Sequence, residues 1–506
     1  MTDRVDGLSE PAGGARPSSH AGTGMLLGGI LLLAACLRFA LLGQHSLWSD
    51  EIFVVWITRF AWRDLLHVVA AVDFHPPLYY LLMKAWIGVA GTGETVLRIP
   101  SAVASVLTVG LTYTVMRKVA PVPVSLLGAF LVSVSPFHIM AAQEARMYPL
   151  AGALVVASTW AIADAVERGS VLGWIVYALL ALLTAYTSYL AVLVLVAHGA
   201  WIAGWNRRHL RGWLAALGAV GCLYAPWAPS LWTQVGQAHG LSETALRLGD
   251  LFGLFAYGGA LFGAAGYFSA GRLGPLEQIL VLLPFLVTLA FGVVSFGANR
   301  RGLALLGLPP VMTIGVMAAV SLVTPIFIPR WFSIVLPFWA MFLAGGIVWL
   351  ASTVRFHPRA VAAWWTVGLL LYSLPALHQY YLDPATWSFR WRAAAALVAR
   401  VGGPDDLLLF ADLPGEETFR YYFRERRPSL ILAPRGGPEI DARALAQARG
   451  LAGAHRRVWL VVNGPVSAQL RGRVLPALAS AFGTSVFYDF SGAELFRFEG
   501  HREPGP

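Results

Sequence analysis

Charge is what this sequence lacks. Of its 506 residues only 13% are Asp, Glu, Lys or Arg, against about a quarter in a soluble globular domain. That shortage excludes a chain whose whole surface faces water. Cysteine is nearly absent: Cys36 and Cys222 both lie in apolar runs, so neither a disulfide framework nor a thiolate metal site is on offer. The first residues lack the basic start and small-residue cleavage site of a signal peptide. No internal repeat and no nucleotide-binding glycine fingerprint occurs, the glycines being scattered. The apolar runs carry no chain of interior acids such as a proton relay uses. They also lack the paired, broken half-helices that mark many transporters.

What remains is apolar. Hydrophobic residues make up 57% of the chain and mean hydropathy is +0.64. They come in runs of bilayer-spanning length, broken by short clusters of Arg, Gly and Pro. The net charge of +10 does not signal nucleic acid, because the basic residues sit between hydrophobic runs, where orientation signals lie. Residues 1–24 read as a disordered cytoplasmic tail. Met25 to Gly43 is the first span, and further apolar stretches follow to residue 378. Five short basic loops orient them: Arg117-Lys118, Arg168, Arg207-Arg208-Arg211, Arg300-Arg301 and Arg355-Arg359. If all five are cytoplasmic, only stretches 76–90 and 251–268 cannot be ordinary spans. The first holds about 15 residues, where a span needs ~20; the second is rich in Gly. Both read as helices in the outer interface. The expectation is a polytopic α-helical membrane domain over 25–383, with about 11 spans plus interfacial helices. The N-terminus lies inside and the C-terminus outside. Residues 384–506 alternate short apolar runs with charged helical stretches (DDLLLFAD, EETFRYYFRERR, SLILAP, RVWLVVNG, VFYDF, ELFRFEG). That alternation predicts a soluble α/β domain, extracytoplasmic on this topology.

Under that topology separate outer loops bring together Asp50-Glu51, Asp73 and His75, Arg98, Gln143 to Tyr148, and Arg330. Ionisable residues in or beside lipid are costly and usually functional. Their convergence at one membrane face points to a site handling an anionic, lipid-linked substrate.

The order of pieces carries a family resemblance. WSDE (Trp48 to Glu51) is followed by HPPLYY (His75 to Tyr80) and LRIPS (Leu97 to Ser101). SPFHIMAAQEARMY (Ser135 to Tyr148) and PRWFSIVLP (Pro329 to Pro337) come after them. The set resembles the polyprenyl-phosphate-sugar-dependent glycosyltransferases of the GT-C class, near the protein O-mannosyltransferases and the lipid A aminoarabinose transferase. The likeness covers roughly residues 25–160, returns around 325–345, and extends to the tail only in there being a soluble appendage. It implies that Asp50, in the first outer loop, is the catalytic carboxylate, with Glu51 as its neighbour. It implies substrate contacts from Asp73, His75, Arg98, Gln143, Glu144, Arg146, Tyr148 and Arg330. At DFHPP (Asp73 to Pro77) the acid is displaced by one from the aminoarabinose-transferase pattern, and His75 stands where a basic residue would. QEARMY replaces the Asp-rich motif of the related oligosaccharyltransferases. Both departures argue against a metal role. The resemblance also implies the inner (plasma) membrane, with the active site on its outer side.

The chemistry fits such residues. A hydroxyl attacking an anomeric carbon needs a base, which a carboxylate within hydrogen-bond reach supplies. Arginine forks bind a departing phosphate bidentately and stay charged. The phosphate is already a good leaving group, so no cofactor is required and a divalent metal is optional. Direct displacement inverts the anomeric centre, whereas retention needs a second carboxylate nearby as nucleophile. The expected function is an inverting transfer of sugar from a polyprenyl monophosphate to an acceptor that is a lipid, a glycan or a protein. The reading from another class is a transporter or flippase of lipid-linked sugar, which would move substrate without breaking the phosphate–sugar bond.

Each residue also has a structural role open to it. Asp73 could cap the helix opening at His75-Pro76. Glu144 and Arg146 could pair with each other. Arg38, a turn from the outer end of the first span, is expected to snorkel. Trp48, Trp56, Trp62 and Tyr79-Tyr80 are expected to form an aromatic interface belt, and after that a sugar platform.

Overall fold

The computed structural model of the protein describes residues 18–237, 275–323, 328–354, 357–371, 373–383, 389–433, 440–452, 454–464, 470–480 and 484–499. The expected disordered tail, apart from its last residues, and the Gly-rich stretch 251–268 lie outside them. The chain begins with α1 (Ser18–Phe39), and the short helices α2 (Ser49–Ile57), α3 (Trp62–Val72) and α4 (Leu78–Ala90) follow. Next come α5 (Glu94–Met116), α6 (Val122–Val134), α7 (Pro136–Ala142), α8 (Tyr148–Arg168), α9 (Val171–Thr187) and α10 (Tyr189–Trp205). Further helices include Leu210–Tyr224, Pro275–Phe296, Arg300–Ser321, Leu336–Thr353, Pro358–Leu371 and Leu374–Leu382.

Among the described residues six helices are long and apolar enough to cross a membrane, or up to eight if each of two bent pairs is one span. The remaining segments expected to span correspond to shorter apolar helices: α9, α10 and Leu283–Phe296. The stretch 76–90 forms the 13-residue α4, too short to cross unaided.

Burial sorts the helices into layers. The apolar windows of α8 and of the helix beginning at Leu336 are 83% and 78% buried, whereas that of α1 is only 11% buried. The first two are therefore the core of the bundle, and α1 lies at its rim with Leu26 and Leu32 exposed. Small residues permit the closest crossing. A Cβ at Gly346 would stand 1.9 Å from the Thr288 carbonyl, and one at Gly292 2.1 Å from that of Phe342. Bundles in lipid gain their packing from such small-residue contacts.

The two ends of the bundle differ chemically. Lys118, past the end of α5, bonds Asp164 (2.9 Å) and Glu167 (2.6 Å) near the end of α8. A Cβ at Gly302 would touch Val119, and Trp201 Nε1 donates to the Arg301 carbonyl. Basic loops 117–118, 168 and 300–301 thus share one end. Glu51 and Arg98, at the start of α5, mark the other. At 1.5 Å per residue, the 23 residues of α5 separate the ends by roughly 30 Å, about the thickness of a bilayer core.

A bend of 58° between α6 and α7 follows from the sequence Ser135-Pro136. Proline has no N–H to give, and the carbonyls a turn earlier lose their helical donors. Arg38 replaces them, donating to the carbonyls of Ser133 (2.8 Å) and Val132 (3.0 Å). It also bonds Ser105 Oγ (2.6 Å) and His138 Nδ1 (3.0 Å). Arg38, expected to snorkel from its place near a span end, does not; it is fully buried, because the broken helix offers acceptors inside.

Residues 407–499 contain a five-stranded sheet of order β2-β1-β3-β5-β4. The strands are β1 (Leu407–Asp412), β2 (Ser429–Ala433), β3 (Arg457–Asn463), β4 (Thr484–Asp489) and β5 (Ala493–Glu499). β1 pairs in parallel with β2 and β3, and β5 runs antiparallel between β3 and β4. Strands buried on both faces read as continuous apolar runs, as LLLF in β1 does. Helices Trp391–Val401 and Leu413–Tyr422 pack on this sheet.

If Arg38 fills the break, Arg38→Met leaves the Ser133 carbonyl without its donor, the Val132 carbonyl with only the Ser135 N–H at 3.4 Å, and Ser105 and His138 without their arginine partner. A loss of roughly 3 kcal/mol is expected, since each unsatisfied buried group costs about 1–3 kcal/mol. It should appear as a clear drop in melting temperature in detergent. An unchanged melting temperature would return Arg38 to a snorkelling role.

Candidate active site

The site is built where α2, α5, the 143–147 loop and the 3₁₀ turn Pro329–Val335 meet. Consecutive residues of a helix point about 100° apart. In α2 this sends Asp50 and Glu51 to different neighbours.

Glu51 turns inward and is fully buried. Its Oε1 accepts from Arg98 Nε at 2.8 Å, and its Oε2 from Arg98 Nη2 at 2.8 Å. Oε1 also takes the Ala145 N–H (2.8 Å), and Oε2 the Trp48 N–H (3.3 Å). The remaining Arg98 donors hold the carbonyls of Leu42 (3.0 Å), His45 (2.9 Å) and Ser46 (3.2 Å). Both residues were expected to touch substrate. The structure commits them to each other and to three stretches of backbone.

Asp50 turns to the cleft, 30% exposed, with Oδ2 3.3 Å from Arg330 Nη2 and 3.7 Å from Arg146 Nη2. Arg146 Nη1 also donates to the Asp50 carbonyl at 3.2 Å. Arg146 is buried, and its Nε has no hydrogen-bond partner among the described residues. Burial alone would lower its guanidinium, but Asp50 outweighs this and holds it well above its ordinary value. The expected Glu144–Arg146 side-chain pair does not form: Arg146 reaches Asp50 instead, and only its backbone N–H meets the Glu144 carbonyl (2.8 Å). Arg330 lies over the Trp48 ring, 4.6 Å from its centroid, a cation–π placement.

Asp73 does not cap α4. Its Oδ1 is 3.1 Å from His75 Nδ1, and Tyr80 donates to its Oδ2. Burial would raise the Asp73 carboxyl, but His75 and then Arg146 outweigh it and hold the group below its usual range. Tyr79 and Tyr80 are buried, not belt residues, and Trp48 is buried too; Trp62 remains exposed. Tyr148 lies beside Arg146 (5.8 Å, ring centroid to Cζ) and edge-on to His75. Gln143 Nε2 donates to the carbonyls of Arg38 (3.0 Å) and Ala40 (2.8 Å), closing the end of α1.

Glu144 is half-buried, and its carboxyl has no hydrogen-bond partner among the described residues. Burial, and then the Glu51 charge, push it up to about 7 against the opposing pull of Arg330, Arg98 and Arg146. The sequence assigned Arg38, beneath the bend, to snorkelling and gave no sign of the aromatic and polar side chains that the C-terminal unit lends to the first loop. No motif marks either. A metal fits poorly here, because among the described residues no three His, Cys, Asp or Glu side chains are grouped to hold one, and both Asp73 oxygens are engaged.

The assembly is one carboxylate between two arginines drawn from separate elements. A second acid stands nearby, and aromatic walls enclose it. Arginine forks hold phosphate oxygens, and the exposed carboxylate can take a proton.

Known proteins share this fold. A family model described as dolichyl-phosphate-mannose-protein mannosyltransferase matches residues 74–232, a span that includes Arg146 but neither Asp50 nor Arg330. ArnT from Cupriavidus metallidurans bound to undecaprenyl phosphate superposes with TM-score 0.57 at 13% identity, over 94% of this chain and 98% of that one. Its apo state gives 0.55 at 14% identity, over 95% and 98%. The oligosaccharyltransferase AglB from Archaeoglobus fulgidus, in complex with an inhibitory peptide and a dolichol-phosphate, gives 0.54 at 12% identity, over 97% of this chain and 75% of that one. No curated protein matches in sequence. The fold is that of the membrane glycosyltransferases of the GT-C class, and the resemblance read from the ordered motifs agrees with it.

The raised Glu144 carboxyl has a sign that can be tested. Between about 4.5, its value when unfolded, and about 7, the native state binds the extra proton. Stability from this group is therefore full below pH 4.5 and is lost as pH rises through 7. Relative to Glu144→Gln, the wild type should lose melting temperature between pH 5 and pH 8. Parallel curves for the two proteins would contradict the assignment.

Proposed function

We propose that the protein is an inverting glycosyltransferase that takes sugar from a polyprenyl monophosphate and passes it to an extracytoplasmic lipid, glycan or protein acceptor. One observation carries this reading: Asp50, partly exposed, is held between Arg146 and Arg330. Arg146 and Arg330 bind the donor phosphate and stabilise the charge it gains as the glycosidic bond breaks. Asp50 accepts the acceptor hydroxyl's proton as oxygen attacks the anomeric carbon. Asp50 is the carboxylate held between the arginines, and burial disfavours the charged form of Glu144, the second acid, so direct displacement, and hence inversion, is favoured over a covalent intermediate. Asp73, His75 and Tyr148 form the wall beside Arg146 and position sugar or acceptor. ArnT and AglB, whose solved complexes hold undecaprenyl phosphate and dolichol-phosphate, support a lipid-phosphate donor.

The basic loops gathered at the far end of the bundle support the orientation. Lys and Arg favour the cytoplasmic side, which supports a reading with Asp50 and the α/β unit of residues 384–506 on the outer face, that of the inner membrane by the family resemblance. Residues 25–383 form the membrane domain in this arrangement. The transporter reading gains no specific contact from the structure.

Asp50→Asn should cut transfer from polyprenyl-phosphate sugars by about 10²–10⁴-fold, the usual worth of a positioned base. Binding of undecaprenyl phosphate should survive the substitution. Full transfer by the variant would remove Asp50 from the chemistry. Movement of intact donor across vesicles with no cleavage would favour the transporter.

A further inference from the structure

The C-terminal unit grips the loop that leads to Asp50. The Tyr422 hydroxyl, at the end of the helix Leu413–Tyr422, uses both sides of its chemistry. It accepts the Leu47 N–H at 2.6 Å and donates to Glu94 Oε1. Leu47 is fully buried and stands three residues before Asp50. Glu94 lies one turn before Arg98 on α5, so the two share a helix face. Arg98 holds the carbonyls of residues 42, 45 and 46, and Tyr422 holds the amide of residue 47. Arg392 adds bonds to Glu94, to the Gly43 carbonyl (3.0 Å) and, through its own N–H, to Ser46 Oγ (3.2 Å). Its side chain is about half exposed, so these fix direction more than they stabilise.

A second contact reaches the arginine side. Phe389 stacks on Trp48, with centroids 5.4 Å apart and planes at 24°, and Trp48 in turn carries Arg330. Phe389 has φ 59°, a left-handed conformation uncommon for a bulky residue. The sheet turn holds it there: Phe389 N–H donates to the Ser491 carbonyl (2.6 Å) and Arg390 N–H to that of Phe490 (3.0 Å). Strained residues persist only where their surroundings fix them.

We propose that Tyr422 and Phe389 are positioning residues, through which the C-terminal unit clasps residues 43–48 and sets the places of Asp50 and Arg330. The clasp's catalytic meaning rests on Asp50 being the base; its existence does not. The appendage is then part of the site's frame, whatever else it binds.

The test uses the full-length protein in lipid nanodiscs with Tyr422→Phe, which removes one oxygen and keeps the ring. Losing one hydrogen bond is worth about 1 kcal/mol, so amide exchange of residues 43–51 should quicken by roughly five- to tenfold. Strands β1 and β3 should stay as protected as in the wild type. With a polyprenyl-phosphate sugar, kcat should fall by a similar factor while donor KM changes less than about twofold. Unchanged exchange at 43–51, or equal quickening in β1 and β3, would overturn the clasp. Faster exchange with unaltered kcat would overturn its positioning role. A wild type that transfers nothing from any polyprenyl donor would overturn the transferase reading and with it that role, while exchange still decides whether the clasp exists.

Discussion

The buried pair of Glu51 and Arg98 is the interaction on which the site's geometry depends. Two charges withdrawn from water are costly, and breaking such a pair by removing one partner typically costs about 3–5 kcal/mol. Here every oxygen and guanidinium nitrogen of the pair finds a partner. Through those partners it binds the 42–48 loop, α5 and the 143–147 loop into one body. Asp50 directly precedes Glu51 on α2, and Arg146 follows Ala145, whose N–H Glu51 holds. Asp50 is therefore one step along the chain from the buried ion pair, and Arg146 one step from a residue bonded to it. Preorganisation of this kind lets charge be stabilised without rearrangement during reaction.

Much of this was legible beforehand, for physical reasons. Ionisable residues stand out against an apolar chain, so Asp50, Arg146 and Arg330 could be named although 280 positions separate the first from the last. Strands β1 and β3 of the C-terminal sheet were legible because buried strands leave continuous apolar runs, and β5 because its apolar residues alternate with charged ones. What could not be read was which charges face a ligand and which face each other. Asp50 and Glu51 look equivalent in sequence; the turn of α2 alone assigns one to the cleft and one to the interior. Arg38 was misjudged because its buried acceptors arise from a break a hundred residues away, at Pro136. Of the aromatic residues expected to form a belt, Trp48, Tyr79 and Tyr80 are buried, with Tyr80 and Trp48 gaining partners that only tertiary contact supplies, while Trp62 is exposed. The 11-span count meets a bundle in which α9 and α10 have only 17 residues each, and residues 251–268 lie outside the described part.

Charge also divides the molecule lengthwise. At the far end Lys118, Asp164, Glu167 and Arg168 pair among themselves near the surface, where such bonds contribute little. At the site end the Glu51–Arg98 pair is buried, and the charges around Asp50 are asymmetric. Asp50 shares two arginines, and Glu144 stands unbonded among the described residues. A surplus of guanidinium donors around one partly exposed carboxylate suits a doubly charged group such as a phosphate better than it suits a neutral sugar alone.

The most direct measurement is a cryo-electron microscopy structure of the protein in nanodiscs with undecaprenyl phosphate. The account expects the phosphate within hydrogen-bond distance of both Arg146 and Arg330, beside Asp50, with Glu51 and Arg98 still joined. A phosphate bound at the Arg117-Lys118 end, or at the site with Glu51 and Arg98 parted to receive it, would contradict it.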